Sequence, residues 1–149
     1  MTMEKDEKYR LLTAQVKALV EGEDDEISLM ANISAAIHET MGFFWTGFYI
    51  VKGNELRLGP FQGPVACMHI PFGRGVCGSA WQRAETIVVP DVEQFPGHIA
   101  CSSLSRSEIV VPVFDRQHEV KAVLDIDSTN LSTFDDTDRH WLEQIVAYL

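Results

Sequence analysis

Apolar residues recur at helical spacing towards both ends of the chain and crowd into strand-like runs between them. Tyr9, Leu12, Val16 and Leu19 mark one face of an amphipathic helix over residues 4–20, and Gly22 supplies its stop. Glu23, Asp24 and Asp25 then open a second helix, where negative charge suits the N-terminal dipole. Leu29, Ile33 and Ile37, with Ala36, form its apolar stripe, and Gly42 ends it. Residues 43–51 are rich in aromatic and β-branched side chains and predict a strand. Lys52-Gly53-Asn54 is a turn, and residues 55–58 return as the second arm of a hairpin. Gly59, Pro60, Gly63 and Pro64 then predict short or bulged pairing. A third strand is expected over 67–70, a turn over 71–75, a short helix over 76–83, and a brief strand over 87–89 that stops at Pro90. Residues 108–114 and 119–127 form a second hairpin around 115–118. Thr133 to Asp136 has the spacing of a capping box, with Asp in place of Glu. A final helix should run to Leu149, burying Trp141, Leu142, Ile145 and Leu149. This order predicts an α+β fold, an antiparallel sheet with helices on its faces. With no repeat, linker or low-complexity stretch, residues 1–149 read as one domain.

Composition adds bounds to this pattern. Hydrophobic residues make up 46% of the chain, enough to fill a core. No apolar run reaches the roughly 18 residues of a membrane span. Residues 1–10 are mostly polar and lack a signal-peptide core, so a cytosolic location is expected. Disulfides there are usually transient and catalytic. The net charge of −10 repels phosphate backbones and argues against a nucleic-acid partner.

The cysteines change the picture most. Cys67, Cys77 and Cys101 all fall in one loop-rich segment, and an odd number excludes a fully paired framework within one chain. Cys101 lies in a long connection, residues 91–107, that carries Pro96 and Gly97, and loops of that length are usually lids or binding loops. The pattern points to redox chemistry, with one nucleophilic thiol and another that resolves it as a disulfide. The thiolate is the nucleophile, and His98 and Arg106 stand near Cys101 in sequence to favour it. Asp125 and Asp127 are two apart in a strand and share a face, either wet or turned into a pocket. Glu108 opens another apolar strand. Trp45 and Tyr49, four apart in a strand, also share a face, as core or as pocket wall. Cys67-x-His69 and His98-x-x-Cys101 offer four zinc-type ligands, although at spacings that match no standard zinc pattern.

The spacing of the three cysteines resembles that of the free methionine-(R)-sulfoxide reductases, which are GAF-domain enzymes. The surrounding fragments agree: Trp45-Thr46-Gly47-Phe48-Tyr49, Gly59-Pro60-Phe61-Gln62-Gly63, Gly73-Arg74-Gly75-Val76-Cys77-Gly78, His98-Ile99-Ala100-Cys101, Ser107-Glu108-Ile109-Val110-Val111-Pro112 and Leu124-Asp125-Ile126-Asp127-Ser128. The likeness spans nearly the whole chain. It implies a GAF fold with about six strands. It implies reduction of free methionine (R)-sulfoxide without a cofactor or metal, with Cys101 as nucleophile, Cys67 as resolving thiol and Cys77 as an auxiliary. Thioredoxin would reduce the disulfide, and the protein would form a homodimer. Trp45, Tyr49, Glu108, Asp125 and Asp127 would line the substrate pocket. There a protonated acid would donate to the sulfoxide oxygen, and ionised ones would hold the ammonium. The indole of Trp45 would face the sulfur as it gains positive character. The alternative is a non-catalytic GAF domain that binds a small ligand, although an acidic pocket suits a cyclic phosphate poorly.

Overall fold

The computed structural model describes residues 3–149; Met1 and Thr2, which start the polar N-terminal segment, lie outside the described residues. Six strands, β1 (Trp45–Lys52), β2 (Glu55–Gln62), β3 (His69–Pro71), β4 (Ile87–Val89), β5 (Ser107–Phe114) and β6 (Val120–Ser128), form one antiparallel sheet in the order β3-β2-β1-β6-β5-β4. Four helices complete the α+β fold: α1 (Lys5–Val20), α2 (Glu26–Met41), α3 (Gly75–Arg83) and α4 (Asp136–Val146). No helix among the described residues is long and apolar enough to cross a membrane.

Strand alternation divides the interior in two. Ile109, Val111 and Val113 of β5, with Ala122, Leu124 and Ile126 of β6, meet Tyr9, Leu12, Val16, Ile33, Ile37, Leu142 and Ile145 from α1, α2 and α4. The residues between them in the strands face the other way. Trp45, Tyr49, Val110 and Val123 pack with Val76, Cys77 and Ala80 of α3. Glu108, Asp125 and Asp127 share the parity of this second set, so the pleat alone carries all three carboxylates to the α3 side.

Several boundaries differ from those expected. Helix α2 starts at Glu26, because Asp25 takes the N-cap and accepts the Ile27 amide. Strand β2 does not stop at Leu58 but continues to Gln62. Gly47 pairs with Phe61 and Tyr49 with Leu58, so one extra residue sits on β2 between them. Pro60 falls at this bulge, where its missing amide costs little pairing. β3 begins at His69, which leaves Cys67 in a loop. The capping box lies two residues later than expected, at Asp135 and Asp138. Thr133 is occupied elsewhere, sharing a 2.6 Å hydrogen bond with the Ser128 hydroxyl. Helix α4 ends at Val146, and Trp141 and Leu149 are only half-buried.

Asp138 also joins the two terminal helices. Its carboxylate is fully buried and accepts from Tyr9 Oη at 2.5 Å and Lys5 Nζ at 2.7 Å.

Candidate active site

Seven of the eight candidate residues line one cavity beside α3: Trp45, Tyr49, Cys77, Cys101, Glu108, Asp125 and Asp127. The eighth, Cys67, is joined to Cys101 by a disulfide with a Cα–Cα distance of 5.4 Å. Both sulfurs belong to half-buried residues, so the bond sits at the boundary between cavity and surface. Cys77 is free and buried.

The antiparallel pairing builds the carboxylate wall. Glu108 lies opposite Asp127, and Val110 opposite Asp125, across β5 and β6. Asp125 and Asp127 lie opposite Gly47 and Trp45 on the other side. Burial pushes the Glu108 and Asp127 carboxyls well above their ordinary range, and the neighbouring Asp125 pushes them further. Burial also raises Asp125, but Glu108, Asp127 and Cys77 act as donors beside it and offset part of the rise. These shifts favour protons on Glu108 and Asp127 over Asp125, and the three carboxyls titrate as a group. Asp125 Oδ1 is buried with no hydrogen-bond partner, leaving an acceptor unused.

The aromatic wall is a stack. Trp45 lies 5.2 Å from Phe61 and 5.9 Å from Tyr49, ring centre to ring centre. Gly47 stands between the two strand aromatics, and any side chain there would run into the Trp45 ring at 2.7 Å. Trp45 Nε1 donates to the Pro64 carbonyl at 2.9 Å, and Tyr49 Oη donates to the Cys67 carbonyl at 2.9 Å. Tyr49 thus holds the backbone of the disulfide segment. Burial, with Asp125 beside it, raises Tyr49 and keeps it a phenol.

Cys77 stands in the first turn of α3, where a helix dipole favours a thiolate. Burial and the nearby Asp125 and Glu108 outweigh that and raise its pKa well above the ordinary thiol range. It stays a neutral thiol, within 4.8 Å of acceptor atoms of Glu108 and Asp125. His98 also lines the cavity, with Nε2 3.9 Å from Glu108 Oε1. Arg106 does not line it, although its backbone amide donates to the Ser128 carbonyl at 2.7 Å. The four zinc-type ligands do not converge: the two sulfurs bond each other, His69 Nδ1 lies 2.8 Å from Glu55, and His98 faces Glu108.

Sequence reasoning did not single out the lining residues Phe44, Ser102 or Ser105, and it quoted Phe61 only within a motif, without its stacking on Trp45. Phe61 lies beyond the Gly59-Pro60 interruption, which hid its place on the strand. Ser102 and Ser105 follow Cys101 in the same connection, and their nearness to it was the available signal.

Fold and site together define a GAF-type sheet with a disulfide beside a pocket of aromatics and buried acids. A GAF domain family model matches residues 23–149. The chain is 53% identical over 146 residues to GAF domain-containing protein A of Dictyostelium discoideum, covering 97% of this chain and 92% of that one. It is 45% identical over 148 residues to the free methionine-R-sulfoxide reductase of Escherichia coli, covering 99% and 89%. The structure superimposes on the free methionine-R-sulfoxide reductase of Neisseria meningitidis, solved in complex with its substrate, with a TM-score of 0.96, 48% identity and coverage of 99% and 89%. The chain belongs to the GAF-domain family and, within it, to the free methionine-R-sulfoxide reductases.

Proposed function

We propose that the protein is an oxidoreductase that reduces free L-methionine (R)-S-oxide to L-methionine. The observation that carries this reading is the Cys67–Cys101 disulfide beside a cavity lined by Trp45, Glu108, Asp125 and Asp127. Relatives named for the reaction, 45% and 38% identical, support it.

The proposed chemistry begins with both thiols reduced. The Cys101 thiolate attacks the sulfoxide sulfur. A protonated carboxyl of the Glu108–Asp127 pair hydrogen-bonds the oxygen as the S–O bond breaks. The oxygen passes to Cys101, which becomes a sulfenic acid, and methionine is released. Cys67 then displaces that oxygen as water and forms the disulfide. A protein dithiol such as thioredoxin returns the pair to thiols. Trp45 faces the sulfur while it carries positive character, a stabilisation of about 0.5–2 kcal/mol. Cys77 is too high in pKa to attack, and its role is to donate towards Asp125. The ionised Asp125 holds the substrate ammonium, which a methionine within a peptide lacks. We further propose that the enzyme works in the cytosol as a homodimer.

The test is methionine release with dithiothreitol as reductant. Release from the free R-epimer, with none from the S-epimer or from a peptide-bound sulfoxide, is expected. Absence of release from all three would overturn the reductase reading in favour of a ligand-binding GAF domain.

A further inference from the structure

Charge is distributed unevenly around the cavity. One wall holds Glu108, Asp125 and Asp127. No Lys or Arg is among the described residues that line it, and His98 is the one lining side chain able to carry positive charge. The substrate proposed above is a zwitterion. Its ammonium suits the acidic wall, but its α-carboxylate has to be brought beside the same acids. A charge desolvated in this way without a partner is costly. The carboxylate is one carbon away from the ammonium nitrogen, so its oxygens lie only about 3 Å from it. Its partner must therefore stand next to the acidic wall rather than at the sulfur end. His98 does so. Its Nε2 is 3.9 Å from Glu108 Oε1, and its side chain is only 17% exposed. The backbone beneath it is held in a turn, with the His98 amide donating to the Phe95 carbonyl at 3.2 Å.

We infer that His98 receives the α-carboxylate of the substrate as an imidazolium, and that it selects ligands with a free carboxylate. The inference rests on the reading of the substrate as a free amino acid. It assigns the second end of that amino acid, as the carboxylates account for the first.

The groups facing His98 are Glu108 from β5 and Asp125 from β6. Helix α3 contributes the neutral Cys77 thiol, and residues 64–66 contribute no charge. Burial lowers His98 in the empty site, with Asp125 acting against it. An arriving carboxylate favours the charged ring and raises its pKa, so binding takes up a proton. The His98 contribution to the affinity for a carboxylate-bearing ligand is then full below the pKa of the free site. It declines as pH rises through the higher pKa of the complex.

Calorimetry of the reduced protein with L-methionine and L-methioninamide tests this at mildly acidic pH, where both ligands carry the ammonium and only methionine carries the charged carboxylate. Wild type should prefer methionine by about tenfold or more, in line with a hydrogen bond to a charged group. Its binding heat should vary with buffer ionisation in the sense of proton uptake. In His98→Gln and His98→Asn the preference should fall to within about threefold. The uptake should vanish, and the amide should bind as it does to wild type. A preference that survives in both variants would overturn the inference and assign the carboxylate to backbone amides or to Ser102 and Ser105. Equal weakening of both ligands would overturn it too, by showing that His98 only holds the loop. The readout needs no turnover, so failure of the reductase reading would show separately, as absence of methionine release.

Discussion

Asp127 shows at the scale of one residue how function and stability oppose each other. Burial and Asp125 raise its pKa, so the folded state favours its protonated form. That contribution is present below the ordinary carboxylate range and is lost as pH rises through the raised pKa, when a second negative charge must be held beside Asp125. Asp127→Asn cannot ionise. It should therefore be more stable than wild type by about 1–2 kcal/mol at alkaline pH, with the difference shrinking in acid. Its kcat should fall by about a hundredfold if Asp127 shares the proton given to the sulfoxide oxygen. Denaturant midpoints at two pH values, with kcat alongside, check both statements. Unchanged kcat and KM would remove Asp127 from the site. The shared face of Asp125 and Asp127 was legible from a spacing of two, but its direction was not. A strand pattern alone does not say which face α3 covers, and the resemblance supplied that part of the reading.

Among the elements, the terminal helices are held by one buried carboxylate. Tyr9→Phe removes the 2.5 Å hydrogen bond to Asp138 and leaves Lys5 and the Asp135 amide as partners. The expected loss is about 1–3 kcal/mol by urea denaturation, with kcat unaltered. The cavity lies on the other side of the sheet, so a large fall in kcat would contradict the separation of the two faces. The apolar stripe of α1 was readable from Tyr9, Leu12 and Val16, whereas its tie to α4 was not. Asp138 looks like any surface acid of an N-terminal turn until α1 is placed over it. The misplaced capping box has a related cause. Thr133 and Asp135 both suit an N-cap, and a local bond to Ser128 with a long-range one to Ser107 decides between them. The hairpins were legible because their turns are local. The extension of β2 was not, because a bulge lets Gly59 and Pro60 lie within a strand that their residue types argue against.

The whole molecule couples a stiff sheet to one tethered connection. The Val92 amide donates to the Arg106 carbonyl and the Arg106 amide to Ser128, which fixes the two ends of the segment carrying His98 and Cys101. Between them the disulfide is the covalent hold. Amides between residues 95 and 104 should therefore exchange faster with solvent deuterium after reduction, while β5 and β6 stay protected in both states. Slow exchange of the segment in both states would contradict a connection that opens with the redox cycle. The pairing of Cys67 with Cys101 spans 34 positions, and no periodicity in the chain encodes it. The most direct test of the central claim is a single turnover of fully reduced protein with free methionine (R)-sulfoxide and no external reductant, counting methionine released and thiols lost. The account predicts one methionine and two thiols per chain, with the Cys67–Cys101 disulfide recovered by peptide mass and Cys77 still reduced. Cys67→Ser should release one methionine and leave Cys101 as a trappable sulfenic acid, and Cys101→Ser should release none. Methionine formed by Cys101→Ser, or a disulfide to Cys77 in place of Cys67, would contradict it.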